Sequence, residues 1–239
     1  MFSIFKKELQ QFFSNLTGYV AIILFLAISG IFLFFLPESN LLDYGYANLD
    51  KFFTIAPWIL LFLVPAITMR IISDEYKGGT FEILKTKPLL SRSIVAGKYM
   101  AVLLVLLFVI TPTLIYVYTI SSLSITNIDA GGIAGSYIGL FLLAATFASI
   151  SLCCSSFTSN AVVAFLLSGF VCLIAYFGFT ALSKLPFFQG NADYYIEMLG
   201  LDFHYKSISR GVVDSRDVIY FASIIFLSLL LTTNNINRR

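Results

Sequence analysis

Asp74–Lys98, DEYKGGTFEILKTKPLLSRSIVAGK, is the longest charged interruption between apolar runs in this chain, and it carries Lys77, Lys85, Lys87, Arg92 and Lys98. Apolar runs long enough to cross a bilayer flank it, Phe52–Ile72 before and Tyr99–Ser121 after. A basic loop pinned between two spans is expected on the cytoplasmic side, because Lys and Arg near span ends resist translocation. Its punctuation predicts short helices. Gly78-Gly79 breaks one turn, and Thr80 is placed to cap Phe81–Thr86 by accepting from a free backbone N–H. Pro88 ends that helix, since proline disfavours helical geometry in the residue before it. Ser91 or Ser93 then caps the helix that enters the membrane. On charge alone the stretch also reads as a solvated basic loop.

The rest of the composition fits a membrane setting. Of 239 residues, 59% are hydrophobic and 12% charged, against about 45–50% and 25% in soluble domains. With a mean hydropathy of +0.90 and several apolar runs of about 20 residues, the chain reads as a polytopic helical membrane protein. The expected spans are about 17–36, 52–72, 99–121, 132–154, 161–182 and 218–231, in one membrane domain covering 1–239. Pro57 and Pro65 interrupt the second span and Pro112 the third, and a bend is expected near Pro65. Gly131, Gly135 and Gly139 form a small-residue stripe on the fourth span, and Ala164, Ser168 and Cys172 another on the fifth. Such stripes let helices approach closely, here most simply within the subunit. Cys153, Cys154 and Cys172 all fall in spans and read as small packing residues.

Ahead of the first span, Phe2–Leu16 has the spacing of an amphipathic helix. Phe5, Leu9, Phe12 and Phe13 recur at three- and four-residue steps, while Lys6, Lys7, Glu8, Gln10 and Ser14 lie mostly off that face. The expectation is an interfacial helix with its aromatic stripe in the acyl boundary. A cleavable signal peptide is the alternative, but the apolar run that follows is too long and lacks a small-x-small cleavage site. Near the other end, Ser183–Asp217 mixes charge with Phe187, Phe188, Tyr194, Tyr195 and Phe203. That is too apolar for a free loop, so these aromatics are expected to be buried against lipid or the bundle.

Placing both termini and Asp74–Lys98 on one side puts ten basic and four acidic residues there, against five and nine on the other. This asymmetry predicts cytoplasmic termini. No ionisable residue is expected well inside a span, which argues against a transporter driven by an ion gradient. There is no G-x-x-x-x-G-K-[ST] nucleotide loop, so energy for driven work would have to enter through a partner. His204, the sole histidine, has no convincing catalytic or metal-binding companions and is expected to be structural. The basic residues sit at membrane boundaries, which does not fit nucleic-acid binding.

The loop pattern Glu75, Gly79-Thr80, Leu84, Pro88 and Gly97-Lys98 resembles the ABC-2 type transporter permeases. So do the N-terminal helix, with its KKEL, double Phe and Gly18-Tyr19, and the segment from Phe203-His204 to Tyr220. The resemblance implies an all-α permease with an N-terminal interfacial helix, a cytoplasmic coupling helix and external re-entrant helices before the last span. It implies that Glu75, Gly79, Thr80, Phe81, Leu84, Lys85, Lys87, Pro88 and Lys98 belong to the loop that meets a separate ATPase, with Glu75 pairing to a neighbouring base such as Lys98. ATP and Mg would sit on that ATPase, with no cofactor in this chain. Two ATPase copies, a second permease copy or paralogue, membrane lipid and an auxiliary extracytoplasmic subunit are the implied partners. The setting would be a bacterial inner membrane and the direction export. Within the family the overall likeness is to the permeases associated with gliding motility. A membrane scaffold that transports nothing is the alternative.

Overall fold

The computed structural model describes residues 1–35, 49–79, 90–123, 129–188, 190 and 192–238. Among these residues there is helix and no strand. Six helices are long and apolar enough to cross a membrane: Thr17–Phe34, Asp50–Lys77, Ser91–Leu123, Ala130–Phe157, Ala161–Ser183 and Ser215–Arg238. This is the six-span, all-α architecture expected from the sequence. Two bounds differ usefully. The third helix begins at Ser91, a full two turns before Tyr99, and the sixth runs through the polar Thr232–Arg238 end rather than stopping near Leu231.

The helix starts follow side-chain chemistry where it is available. Asp129 accepts from the Gly132 N–H at 3.0 Å and Asn160 from the Val162 N–H at 3.0 Å, which fixes the first turns of the fourth and fifth spans. Neither Ser91 nor Ser93 caps the third span: its N-cap is Leu90 in an extended conformation, without a side-chain cap.

The fourth span is the central pillar. Of its most apolar 18 residues 83% are buried, against 22% for the fifth span. Its small residues permit this, and the stripes are filled within the chain. A Cβ on Gly139 would lie 2.9 Å from Ile208 Cγ2, and one on Gly135 would lie 3.0 Å from Gly211 Cα. Gly131 is not part of this contact; its neighbour Gly132 is, because Gly211 packs against its Cα. On the fifth span Ala164, Ser168 and Cys172 are all buried, and the Cys172 thiol faces the fourth span at Ser151 Oγ, 3.8 Å away.

The prolines are handled differently from one another. Pro57 has no N–H to give the Phe53 carbonyl four residues earlier. The Tyr205 hydroxyl donates to that carbonyl instead, at 2.6 Å. Burial pushes the Tyr205 phenol well above its ordinary value, with the nearby Tyr176 and Asp202 adding to the shift, so it stays protonated as a donor. Pro112 sits in a 3₁₀ turn, Thr111–Thr113, that divides the third span. At Pro65 the helix is unbroken. The regular pattern is interrupted one turn later, at Met69.

At the far end from the basic loop, the segment after the fifth span forms short helices, Pro186–Phe188, Ala192–Glu197 and Leu201–Ile208. The buried residues are Leu201, Asp202, His204, Tyr205 and Ile208, a one-sided face at three- and four-residue steps. Phe187, Tyr194 and Tyr195 point away from the bundle at 88%, 56% and 69% exposure, and Phe203 is half-buried against the Tyr194 ring. The bundle therefore does not cover Phe187, Tyr194 and Tyr195, and the Phe188 side chain lies outside the described residues. Apolar content marked the segment as non-solvated but did not distinguish a packed face from a free one. His204 is structural in this arrangement. Its Nε2 donates to the Met198 carbonyl at 2.9 Å, its Nδ1 lies 2.7 Å from Asp217 Oδ1 on the sixth span, and its ring stacks on Tyr220 at 3.8 Å.

Candidate functional site: a buried ion-pair cluster at the base of the basic loop

Lys98 is fully buried, seven residues inside the third-span helix rather than at its end. An ammonium has three donors, and all three find acceptors. Nζ lies 2.8 Å from Glu8 Oε1, 2.9 Å from Glu75 Oε1 and 2.9 Å from the Ile71 carbonyl oxygen. Lys7 closes the cluster from the rim, 3.1 Å from Glu75 Oε1 and 3.8 Å from Glu8 Oε1, with its side chain half exposed. Two cations and two carboxylates thus neutralise one another where water is largely excluded. A buried charge is tolerated only when paired and hydrogen-bonded in this way.

Three elements bring these groups together. Glu8 comes from the N-terminal helix Phe2–Ser14, which lays Ile4, Glu8 and Phe12 against the bundle. It crosses the third span closely at Gly97, where a Cβ would lie 3.0 Å from the Met1 carbonyl oxygen and 3.2 Å from Ile4 Cβ. Phe12 is buried, and Phe5, Leu9 and Phe13 pack partly against the core. The aromatic stripe is therefore not simply lipid-facing. Glu8, expected off the packing face, lies at its centre because Lys98 stands opposite. Glu75 comes from Arg70–Lys77, the last turns of the second span. That helix ends at Gly78, followed by Gly79 at φ +65°, a left-handed stop that glycine supplies without a Cβ penalty. Thr80, Phe81, Leu84, Lys85, Lys87 and Pro88 lie outside the described residues.

Just above the cluster the helix of the second span is interrupted at Met69, where the fourth span touches it. The Ser73 N–H donates to Ser155 Oγ at 3.3 Å, and Ser155 Oγ donates to Met69 O at 3.1 Å. A hydroxyl from the fourth span thus bridges the first turn that follows Met69. The Ser73 hydroxyl also donates to Met69 O. Next to Ser155, Ser156 receives the polar tail of the sixth span: Asn235 Nδ2 donates to its carbonyl at 2.7 Å and to its hydroxyl oxygen at 3.0 Å. The base of the loop is therefore wired to the N-terminal helix and to four of the spans' ends: the second, third, fourth and sixth.

The Glu75–Lys98 pair was legible beforehand, but Glu8, Lys7, Ser155 and Asn235 were not. One signal for Glu8 was available: Ile4, Glu8 and Phe12 share a four-residue step, so the acid sits in an otherwise apolar row. No curated protein matches the chain significantly. A protein-family comparison matches residues 2–205 to the family described as ABC-2 family transporter protein, a span that takes in the N-terminal helix, the loop and most of the external segment. The chain therefore belongs to the ABC-2 transporter family, as a membrane-spanning permease component rather than a catalytic subunit.

Proposed function

We propose that this permease receives force from a separate ATPase at the loop between its second and third spans and passes it through the Lys98 cluster into the bundle. The observation that carries this reading is the cluster itself. A push on the loop acts on Arg70–Lys77, and Glu75 on that helix shares Lys98 with Glu8. The second span, the third span and the N-terminal helix then move as one body. The interruption at Met69, bridged by Ser155, is the natural pivot, since the regular helical pattern lapses there.

In this reading the basic face is cytoplasmic, both termini lie on it and the membrane is a bacterial inner membrane. The ATPase, in two copies, binds ATP and Mg. The permease pairs with a second copy or a paralogue, with room for an auxiliary extracytoplasmic subunit, and the complex works as an exporter or a force transmitter. The overall likeness noted from the sequence favours a role in gliding motility. Thr80–Lys87 forms the contact, with Phe81 and Leu84 three residues apart on one face and Lys85 and Lys87 at the rim.

Anchors that fill a pocket commonly cost about 2 kcal/mol or more when truncated, while rim charges cost little. The double variant Phe81→Ala/Leu84→Ala is expected to lose co-purifying ATPase by about 30-fold at unchanged membrane abundance, and Lys87→Ala to lose much less. Full retention of the ATPase by the double variant would place the docking site elsewhere.

A further inference from the structure

At the end of the bundle opposite Lys98, a cavity of about 870 Å³ opens between the second, fourth and fifth spans and the helix Leu201–Ile208. This is within the size of small-molecule sites, roughly 300–1,000 Å³. Its lining falls into two zones. Asp50 stands at the start of the second span and Trp58 eight residues on, which is about 12 Å deeper along a helix. The deeper wall is aromatic, made by Phe53, Trp58, Tyr176 and Phe177. Tyr176 and Phe177 lie in a π-helical turn, Ile174–Gly178, inside the fifth span. Turns of this kind recur at functional sites. Trp58 meets Tyr176 edge-on, with ring centroids 5.9 Å apart, and keeps 41% of its surface open.

The mouth carries both signs of charge. Lys206 Nζ is held 2.6 Å from the buried Asp202 carboxylate, which fixes one cation at the rim. Arg210, one turn further, is exposed and makes no ion pair among the described residues. Across the mouth stand Asp50 and Asp129. Asp129 commits Oδ1 to capping the fourth span.

We propose that this cavity binds an amphiphile with a zwitterionic phosphodiester head. Arg210 and Lys206 hold the phosphodiester through charge-assisted hydrogen bonds. The ammonium faces Asp129 and Asp50, and the proximal part of the acyl chain lies against Trp58 and Phe177. Opposed charges above an apolar wall select such a molecule over a simple anion or a neutral lipid. The proposal depends neither on which face is cytoplasmic nor on the ATPase.

Trp58 is the only tryptophan in the chain, so its fluorescence reports on the cavity directly. The full chain in dodecyl maltoside is titrated with a lysophosphatidylethanolamine whose acyl chain is brominated, a contact quencher. Saturable quenching is expected. In Lys206→Ala/Arg210→Ala, two rim substitutions whose folding is checked by gel filtration, half-saturation should rise at least about tenfold, the loss expected when a charge-assisted contact is removed. Three results would overturn the proposal: quenching that rises linearly without saturating, equal half-saturation with a brominated monoacylglycerol of the same chain, or unchanged half-saturation in the double variant. Free O-phosphoethanolamine should not displace the lipid at matched concentration. Displacement would assign the site to a soluble zwitterion and would overturn the amphiphile.

Discussion

Lys98→Met is expected to destabilise the permease by about 3–5 kcal/mol, the cost of removing one partner from a buried ion pair. The substitution keeps the length and apolar stem of the side chain, so the loss reads the charge. What remains is Glu8 and Glu75, two largely buried carboxylates whose oxygens both face the vacated ammonium position, with the half-exposed Lys7 nearby. Thermal unfolding of the detergent-solubilised protein, together with its abundance in membranes, measures the effect. Adding Glu8→Gln to Lys98→Met should recover part of the loss, because groups in one network couple by roughly 0.5–3 kcal/mol. Lys7→Ala should change stability by less than about 1 kcal/mol, as an ion pair at the rim does. A wild-type melting temperature for Lys98→Met would show that the cluster is not an ion-pair network in the membrane.

Gly211→Ala is expected to cost about 2–4 kcal/mol, through backbone strain and overpacking together. Gly211 has φ +88°, and a Cβ there would fall 2.5 Å from Gly132 Cα. The obstacle is backbone, so no side-chain rotation relieves it. The turn after Leu201–Ile208 would lift from the fourth span and strain the Ser136 bond to the Ser209 carbonyl, now 2.9 Å. A lower unfolding midpoint and faster proteolysis between Ser209 and Asp214 are the expected signs. Gly169 is the control: a Cβ there meets nothing within 4 Å, and alanine is the better helix former. Equal behaviour of the two variants would mean that the external turn does not pack on the Gly132–Gly139 stripe.

Much of this architecture is legible in the sequence because hydropathy and span length are local properties. The six apolar runs, the basic loop, the Gly78-Gly79 stop and the small-residue stripes all follow from neighbouring residues. What escapes local reading is pairing across the chain. Glu8 and Lys98 are 90 residues apart, and each alone reads as an ordinary polar residue near a membrane boundary. Lys98 reads as a span end because the apolar run starts at Tyr99, yet the helix starts at Ser91 and carries the ammonium inside. The same holds for Tyr205 and the Phe53 carbonyl: Pro57 announces an orphaned acceptor, but not the hydroxyl that serves it from 152 residues away. In the external segment, composition could not separate Leu201, Tyr205 and Ile208, which are buried, from Phe187, Tyr194 and Tyr195, which are exposed.

The central claim is that the ATPase meets this permease at the loop between the second and third spans. Site-specific photo-crosslinking tests it most directly. A photoreactive amino acid is placed at Phe81 in one variant and at Tyr195, on the opposite face, in another; both are irradiated in native membranes, and the adducts are identified by mass spectrometry. The account predicts that Phe81 captures a polypeptide carrying a nucleotide-binding loop and that Tyr195 captures none. Capture of the ATPase from Tyr195, with none from Phe81, would contradict both the docking site and the orientation of the bundle.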